Sequence, residues 1–277
     1  MTTAPPVRLY SVATDEPGPA WRRAQDMLAA EWIKLRSLRP VYLICLGGVF
    51  ATLLITALSA HTDAQGWNEW TPAQQAGFDA LHAPFRGFAF AHLAFAVTGV
   101  LAIGSEYSSG LIRTTFTAMP ARRAVLAAKA TVLGLATFTV GLGTAATAFV
   151  IGQLTYAPHH FGVSIAEPEA LGSIGAVAVY LSAVSLLGLA LATLLRQSAV
   201  AITGCFVLLF LLSQFLHGDH GWMLHVHQAM PDIAIRRLTT GRADVLAPSR
   251  AAAWATILLY PAVALGAATV GIHRRDV

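Results

Sequence analysis

Four histidines in the last quarter of the chain are the side chains best suited to metal chemistry. Together they form the pattern H-x2-H-x4-H-x-H around Asp219; they are His217, His220, His225 and His227. Imidazole nitrogens bind zinc and copper well. This spacing matches no tight zinc signature, however, and histidines are also common at interfaces. A metal site is therefore the weaker of two interpretations, beside an ordinary interfacial role.

A second candidate is the charged segment 104–129, GSEYSSGLIRTTFTAMPARRAVLAAK. Glu106 stands where an apolar run ends, Gly110 can end or bend a helix, and Pro120 interrupts the chain before two arginines. Arg113 follows seven residues after Glu106, but Ser-Ser-Gly intervenes. A short helix flanked by two breakers is suited to docking into a soluble partner. The alternative is a basic loop that anchors the chain at the membrane surface.

The motifs of common catalytic and nucleotide-binding sites are missing from the sequence. It contains no G-x-x-x-x-G-K-[ST] loop, no G-x-S-x-G elbow and no H-E-x-x-H pair. We therefore expect this chain to be no enzyme and to bind no ATP or other cofactor itself. Cys45 and Cys205 lie within apolar runs, where packing is a commoner role for cysteine than a metal or disulfide site.

Composition indicates a membrane protein. The chain is 56% hydrophobic and 12% charged, whereas a typical soluble domain is about 25% charged. Its mean hydropathy is +0.61, so too few polar residues are present to cover a soluble core, and lipid must surround most of the chain. The net charge of +4 arises from basic residues beside apolar runs. We therefore expect a lipid bilayer as a partner, and no nucleic acid.

These observations predict an all-α membrane protein with six transmembrane helices preceded by an amphipathic interfacial helix. Charged residues mark the ends of the apolar runs, because a charge at the bilayer centre costs at least about 2.5–3.5 kcal/mol. At about 1.5 Å per residue, each run can cross a hydrocarbon core of about 30 Å. The predicted spans are residues 41–60, 87–105, 128–152, 170–195, 197–216 and 251–272.

Residues 21–39 are too short to span but repeat apolar side chains at helical spacing. We expect them to form the interfacial helix, with tryptophan at headgroup depth, at the start of a transmembrane domain that covers residues 21–277. The proline-rich residues 1–20 are expected to be a disordered cytoplasmic tail. The candidate residues of the interfacial helix are Glu31, Trp32, Lys34 and Arg36.

The distribution of lysine and arginine predicts the orientation, because basic residues are enriched on the cytoplasmic side. With the N-terminus inside, five of the 18 basic residues lie outside, namely Arg86, Arg236, Arg237, Arg242 and Arg250. The cytoplasmic side carries the others: Arg8, Arg22, Arg23, Lys34, Arg36, Arg39, Arg113, Arg122, Arg123, Lys129, Arg196, Arg274 and Arg275. Six spans then place both termini in the cytoplasm. The longest outer loop, 217–250, is expected to contain short helices, with Ser249 capping the last span.

His92 lies within the second predicted span. A polar group at that depth faces the interior of a bundle. We favour a hydrogen bond to a neighbouring helix over a place in a transport pathway. The spans carry no Asp or Glu away from their ends, and we see no repeat that relates the two halves. Both observations argue against a secondary transporter.

Three segments resemble one known family. They are AEWIKLRSLRP at residues 30–40, GVLAIGSEYSSGLIRTTFTAMPARRAVLAAKA at 99–130, and the final WATILLYPAVALGAATVGIHRRDV. They resemble the membrane (permease) subunit of an ATP-binding-cassette transporter of the type-two export class, in its actinobacterial form. The resemblance extends over nearly the whole chain from about residue 28, and the middle segment is its most specific part.

The resemblance implies that the chain pairs with a second permease, as a homodimer or heterodimer, in the bacterial plasma membrane. A separate cytoplasmic ATPase would bind ATP and Mg²⁺ and supply the energy to export a small molecule, peptide or lipid. Residues 217–250 would match small extracellular helices. By position, the ATPase-coupling region would comprise Glu106, Tyr107, Gly110, Arg113, Pro120, Arg122 and Arg123.

Two other interpretations stay open. A non-transporting membrane scaffold or immunity protein would share this fold. A membrane-embedded enzyme would need a polar constellation within the spans, for which only His92 is available.

Overall fold

The computed structural model describes residues 19–118, 121–215, 221–241 and 247–274. The secondary structure in these ranges is entirely helical. The long helices are α1 (Ala20–Ser37), α2 (Arg39–Gly66), α4 (Phe88–Ser108), α6 (Arg122–Tyr156), α7 (Pro168–Leu195) and α12 (Arg250–Arg274). The shorter ones are α3 (Pro72–Gly77), α5 (Leu111–Ala118), α8 (Ser198–Phe206), α9 (Leu212–Phe215), α10 (Gly221–Gln228) and α11 (Pro231–Thr239). The all-α prediction is confirmed. The predicted tail 1–20 lies almost wholly outside the described residues.

Five helices of the described chain are long and apolar enough to cross a membrane: α2, α4, α6, α7 and α12. The fifth predicted span, 197–216, is shorter than these. It consists of α8, a π-helical segment (Val207–Leu211) and α9, which follow one another without a break. Ser198 lies beside Gly104 near the end of α4, and the ring of Phe210 lies 4.8 Å from that of His92 near its start. This composite helix therefore runs antiparallel to α4 along most of its length.

The helix α1 is separate from the first spanning helix. Its last hydrogen-bonded turn ends at Leu38, which has φ −82° and ψ 85°, and Pro40 follows in the first turn of α2. Proline has no amide hydrogen and its ring clashes with the preceding turn, so it can start α2 but cannot continue α1. Trp32 is exposed on α1, whereas Glu31 is buried against the bundle. The prediction of a distinct helix before the first span is confirmed.

The helix α7 is central in the bundle and packs against α4, α6 and α12. Glycines permit its closest contact, which is with α4. A Cβ atom at Gly99 would overlap the carbonyl oxygen of Ser185, and one at Gly188 would overlap that of Ala96. Small residues at such contacts allow two backbones to approach closely, so that dispersion forces can hold helices together in lipid. The relative position of α4 and α7 therefore depends on these two glycines.

We predict that Gly99→Ala or Gly188→Ala destabilises the protein, because a new methyl group would push α4 away from α7. The expected loss is about 1–3 kcal/mol in free energy of unfolding, as for an overpacked core. Thermal unfolding of the purified protein in detergent measures it. Gly175→Ala is the control, because a Cβ atom there meets nothing within 4 Å. Equal melting temperatures for all three variants would contradict the prediction.

The predicted short helices of the loop 217–250 are present in its described part as α10 and α11. The helix α11 packs against α7 and α12 and buries Ala234 and Leu238. The hydroxyl oxygen of Ser249 accepts a hydrogen bond from the amide of Ala252 at 3.1 Å, so Ser249 caps α12 as predicted.

Candidate functional site

Four charged side chains meet where α1, α4 and α6 converge, and we call them the four-charge cluster: Glu31, Lys34, Glu106 and Lys129. Nζ of Lys129 lies 2.5 Å from Oε2 of Glu31 and 2.8 Å from Oε1 of Glu106. Nζ of Lys34 lies 2.7 Å from Oε1 of Glu31 and 3.5 Å from Oε1 of Glu106. The two ammonium groups therefore each bridge both carboxylates, and the cluster is electrically neutral.

Three members of the cluster are buried, and Lys34 is partly exposed. Glu31, Glu106 and Lys129 are 5%, 3% and 6% exposed. Each group would be costly to desolvate alone, but the geometry provides each with oppositely charged neighbours. Because three separate helices supply the charges, none of the helices can move without either carrying the others along or breaking ion pairs in a poorly solvated place.

Local sequence explains how each charge reaches this point. Glu31 lies on the face of α1 that also packs Leu35 against the core, and Lys34 is one turn further along the same helix, so the two form an i, i+3 pair. Glu106 is in the last turn of α4, and Lys129 is two turns into α6. Burial by itself would lower the pKa of Lys34, but the hydrogen bond to Glu31 and the charges of both glutamates outweigh burial and raise it. Lys34 is therefore charged throughout the physiological range.

The chain turns sharply after the cluster. The helix α4 ends at Ser108, and Gly110 adopts a positive φ of 73°, a conformation that glycine adopts without strain. The short helix α5 follows directly and carries the exposed side chain of Leu111. The predicted break at Gly110 is thus confirmed.

The other residues of the predicted coupling region lie around this turn. Tyr107 packs partly buried against the hydrophobic core. Arg122 donates a hydrogen bond to the carbonyl oxygen of Ile272 at 3.3 Å, which ties the start of α6 to the end of α12. Arg123 is exposed. Arg113 lies in α5, and Pro120 lies outside the described residues.

The structure divides the predicted site residues into two kinds. It brings Glu31, Lys34 and Glu106 together in the buried cluster, whereas Trp32 and Arg36 of α1 are exposed. Sequence reasoning missed Lys129 as a site residue. A signal was present, because Lys129 lies inside the predicted span 128–152, and a charge within a span needs a partner. The sequence does not indicate that its partners are Glu106 and Glu31. Glu106 is 23 residues away, and both glutamates lie on helices other than α6.

The predicted histidine site gains no support from the described residues. His225 and His227 lie in α10, two positions apart, and so project from different faces of that helix. His217 and His220 lie outside the described residues. Across the described ranges, no group of three or more His, Cys, Asp or Glu side chains is arranged to hold a metal ion.

His92 makes the contact expected of it. The hydroxyl of Tyr180 on α7 lies 2.8 Å from Nε2 of His92, and both side chains are buried. A polar side chain at this depth is thus satisfied by a neighbouring helix.

A protein-family model described as "ABC-2 family transporter protein" matches residues 27–212. That range begins within α1 and covers α2 to α8 and the π-helical segment. It contains all four members of the charge cluster. The chain belongs to the ABC-2 transporter family. It is therefore a multi-pass membrane protein and a permease subunit of an ATP-binding-cassette transporter. No curated protein matches the chain.

We predict that Lys129→Met strongly destabilises the permease, because it leaves two buried carboxylates without their shared cation. The expected loss in free energy of unfolding is about 3–5 kcal/mol, measured by thermal unfolding in detergent. The double variant Lys129→Met/Glu106→Gln removes one charge of each sign and should recover much of the loss.

Arg123→Gln is the matched control, because Arg123 is exposed and lies on the same helix. It should change stability by less than about 0.5 kcal/mol. The importance of the cluster would be refuted if Lys129→Met melted like the native chain.

Proposed function

We propose that this permease exports a small molecule, peptide or lipid across the bacterial plasma membrane, driven by a separate cytoplasmic ATPase that binds ATP and Mg²⁺. In this proposal it pairs with a second permease, identical or related. The ATPase contacts the connection between α4 and α6, which is the segment 106–123. The observation that carries the proposal is the four-charge cluster, because it joins that connection to three helices at once.

The geometry suits the transmission of force. The helix α5 is bounded by Gly110 on one side and by Pro120 on the other, so a partner can move it as a unit. Glu106 lies just before α5 and is held by Lys34 of α1 and Lys129 of α6. A push on α5 is therefore transmitted to α1, α4 and α6 together rather than absorbed in a loop. Glu106 acts here as a positioning residue beneath the contact surface.

Exposed residues on this side of the bundle suit a soluble partner. Leu111 is 46% exposed, and Arg123 and Thr114 are exposed nearby in sequence. Arginine is enriched among the residues that contribute most to protein–protein binding, and an exposed apolar side chain gains free energy when a partner covers it. The chain itself carries no nucleotide-binding loop, which supports a separate ATPase.

The end of the bundle that carries the four-charge cluster supports a proposal for the orientation of the chain in the membrane. The ends of α4, α7 and α12 and the starts of α6 and α8 lie together, since Arg122 contacts Ile272 and Ser198 lies beside Gly104. Basic residues concentrate there, and basic residues favour the cytoplasmic side. We therefore propose that this end faces the cytoplasm, together with both termini.

The permease should co-purify with the ATPase encoded nearest to it when the two are co-expressed, and Arg123→Glu and Leu111→Asp should each reduce the retained ATPase about ten-fold. A ten-fold loss corresponds to about 1.4 kcal/mol of binding free energy. Both substitutions replace exposed side chains, so the melting temperature of the permease should not change. Quantified co-purification in detergent, with thermal unfolding of each variant, measures both.

Arg250→Glu is the matched control. Arg250 is also exposed and begins a long helix, but at the other end of the bundle. It should retain the ATPase fully. If Arg250→Glu released the ATPase as well as Arg123→Glu, the assignment of the coupling region would be wrong. If no ATPase associated with the native chain, a non-transporting scaffold would replace the export proposal.

A further inference from the structure

A cavity of about 270 Å³ opens at the end of the bundle opposite the four-charge cluster. It lies between α4, α7, the π-helical segment and α11, and we call it the α11 pocket. Its floor is formed by the buried side chains of His92, Val177, Tyr180 and Leu209. Exposed residues, namely Arg86, Gln214 and Arg236, surround its mouth. The lining thus combines apolar and aromatic side chains with a small set of polar groups, which is the usual composition of a small-molecule site.

One polar atom of the lining lacks a partner. Asp232 lies in the first turn of α11, and its Oδ1 is buried without a hydrogen-bond partner among the described residues. A buried acceptor left unsatisfied costs about 1–3 kcal/mol, and more when it is charged. A ligand that donates a hydrogen bond at this point would remove that cost.

The positive groups of the lining are either neutralised or directed to solvent. Nη1 of Arg86 lies 2.8 and 2.7 Å from the two carboxylate oxygens of Asp63, which also accepts a hydrogen bond from Tyr156 at 3.2 Å. Arg236 is exposed and therefore hydrated. Burial, and then the charge of Arg236, lower the pKa of His82, so its imidazole is neutral at physiological pH. The buried polar atom of the lining that has no hydrogen-bond partner among the described residues is Oδ1 of Asp232.

Aromatic rings complete the site. Phe88 and Phe210 line the wall beside Tyr180, and the ring of His92 lies 4.8 Å from that of Phe210 and 4.9 Å from that of Tyr180. Phe210 belongs to the π-helical segment, whose widened turn changes the direction of its side chains, and such segments are frequent at functional sites. A carboxylate next to aromatic faces is the environment that binds organic cations.

We propose that the α11 pocket binds a small organic ammonium compound with an aromatic or alkyl body. The ammonium group donates a hydrogen bond to Oδ1 of Asp232, and the body packs against Phe88, Phe210 and Tyr180. This inference goes beyond the proposed function, because such binding requires neither the ATPase nor a second permease.

Three probes of similar shape and different charge test the proposal on the purified permease in an uncharged detergent, without ATPase. The probes are phenethylamine, 2-phenylethanol and 3-phenylpropionate. Binding is measured by calorimetry, and empty micelles give the background. Phenethylamine should bind at least about ten times more tightly than the other two, which is the factor expected for one charge-assisted hydrogen bond.

Asp232→Asn should remove that preference and leave binding of 2-phenylethanol unchanged. Its melting temperature should not fall, because Oδ1 of Asp232 has no hydrogen bond to lose among the described residues. Glu69→Gln is the matched control, since Glu69 is an exposed acidic residue outside the pocket lining, and it should change nothing. Arg236→Gln should leave phenethylamine binding unchanged or strengthen it.

If Asp232→Asn fails to fold, the binding of the three probes to the native chain still tests the proposal. Equal binding of phenethylamine and 2-phenylethanol would overturn the proposal and identify an apolar cavity of the kind that lipid fills. Preference for 3-phenylpropionate would overturn it in favour of anion recognition by Arg86 and Arg236. Retention of the phenethylamine preference in Asp232→Asn would also overturn it.

Discussion

The pairing of buried charges is the constraint on which the rest of this structure depends. Lipid and a dry protein interior cannot solvate a carboxylate or an ammonium group, so each such group must find an opposite charge nearby. Glu31, Lys34, Glu106 and Lys129 satisfy that requirement together, with two charges of each sign. Because the four come from three helices, satisfying their electrostatics also sets the position of α1 against the spans.

Close packing between helices is the second contribution to the stability of the fold. In lipid, helices gain little from hiding apolar surface, so association relies on dispersion forces between closely approaching backbones. Gly99 and Gly188 allow that approach between α4 and α7. The result is a rigid pair of parallel helices with the charge cluster near the end of α4 and the α11 pocket near its start. A rigid element of this kind is needed if a movement at the four-charge cluster is to change the conformation at the other end of the bundle.

The two ends of α4 carry different chemistry for a physical reason. Near its end, Glu106 is ion-paired within the protein, so its carboxylate serves structure. Near its start, His92 is satisfied by Tyr180, but the adjacent Asp232 of α11 keeps one buried oxygen without a partner. Glu106 is thus held by two lysines, whereas Asp232 has no ion pair among the described residues and lines a cavity that a ligand can enter.

Much of this protein is determined by its sequence alone. The length and apolarity of the runs indicate helices, because only helices and closed barrels satisfy the backbone in a bilayer, and these runs lack the alternation of barrel strands. Pro40 and Gly110 place two helix ends, and Ser249 caps another, because their effects are local. The sequence also predicts the helical run at 197–216, but it does not predict the π-helical segment within that run, which leaves no recognisable pattern in an uncharged stretch.

Only the tertiary structure decided which charges meet. The sequence predicts that Glu31 lies on an interfacial helix and Glu106 in a docking segment, yet both are buried and ion-paired with Lys129. In the same way, Asp232 lines the same pocket as His92 only because α11 packs against α7 and α12. Helix periodicity is a local property that a sequence displays directly. The rotation of each helix about its axis depends on all of its neighbours at once, and that rotation selects the partners of every buried polar group.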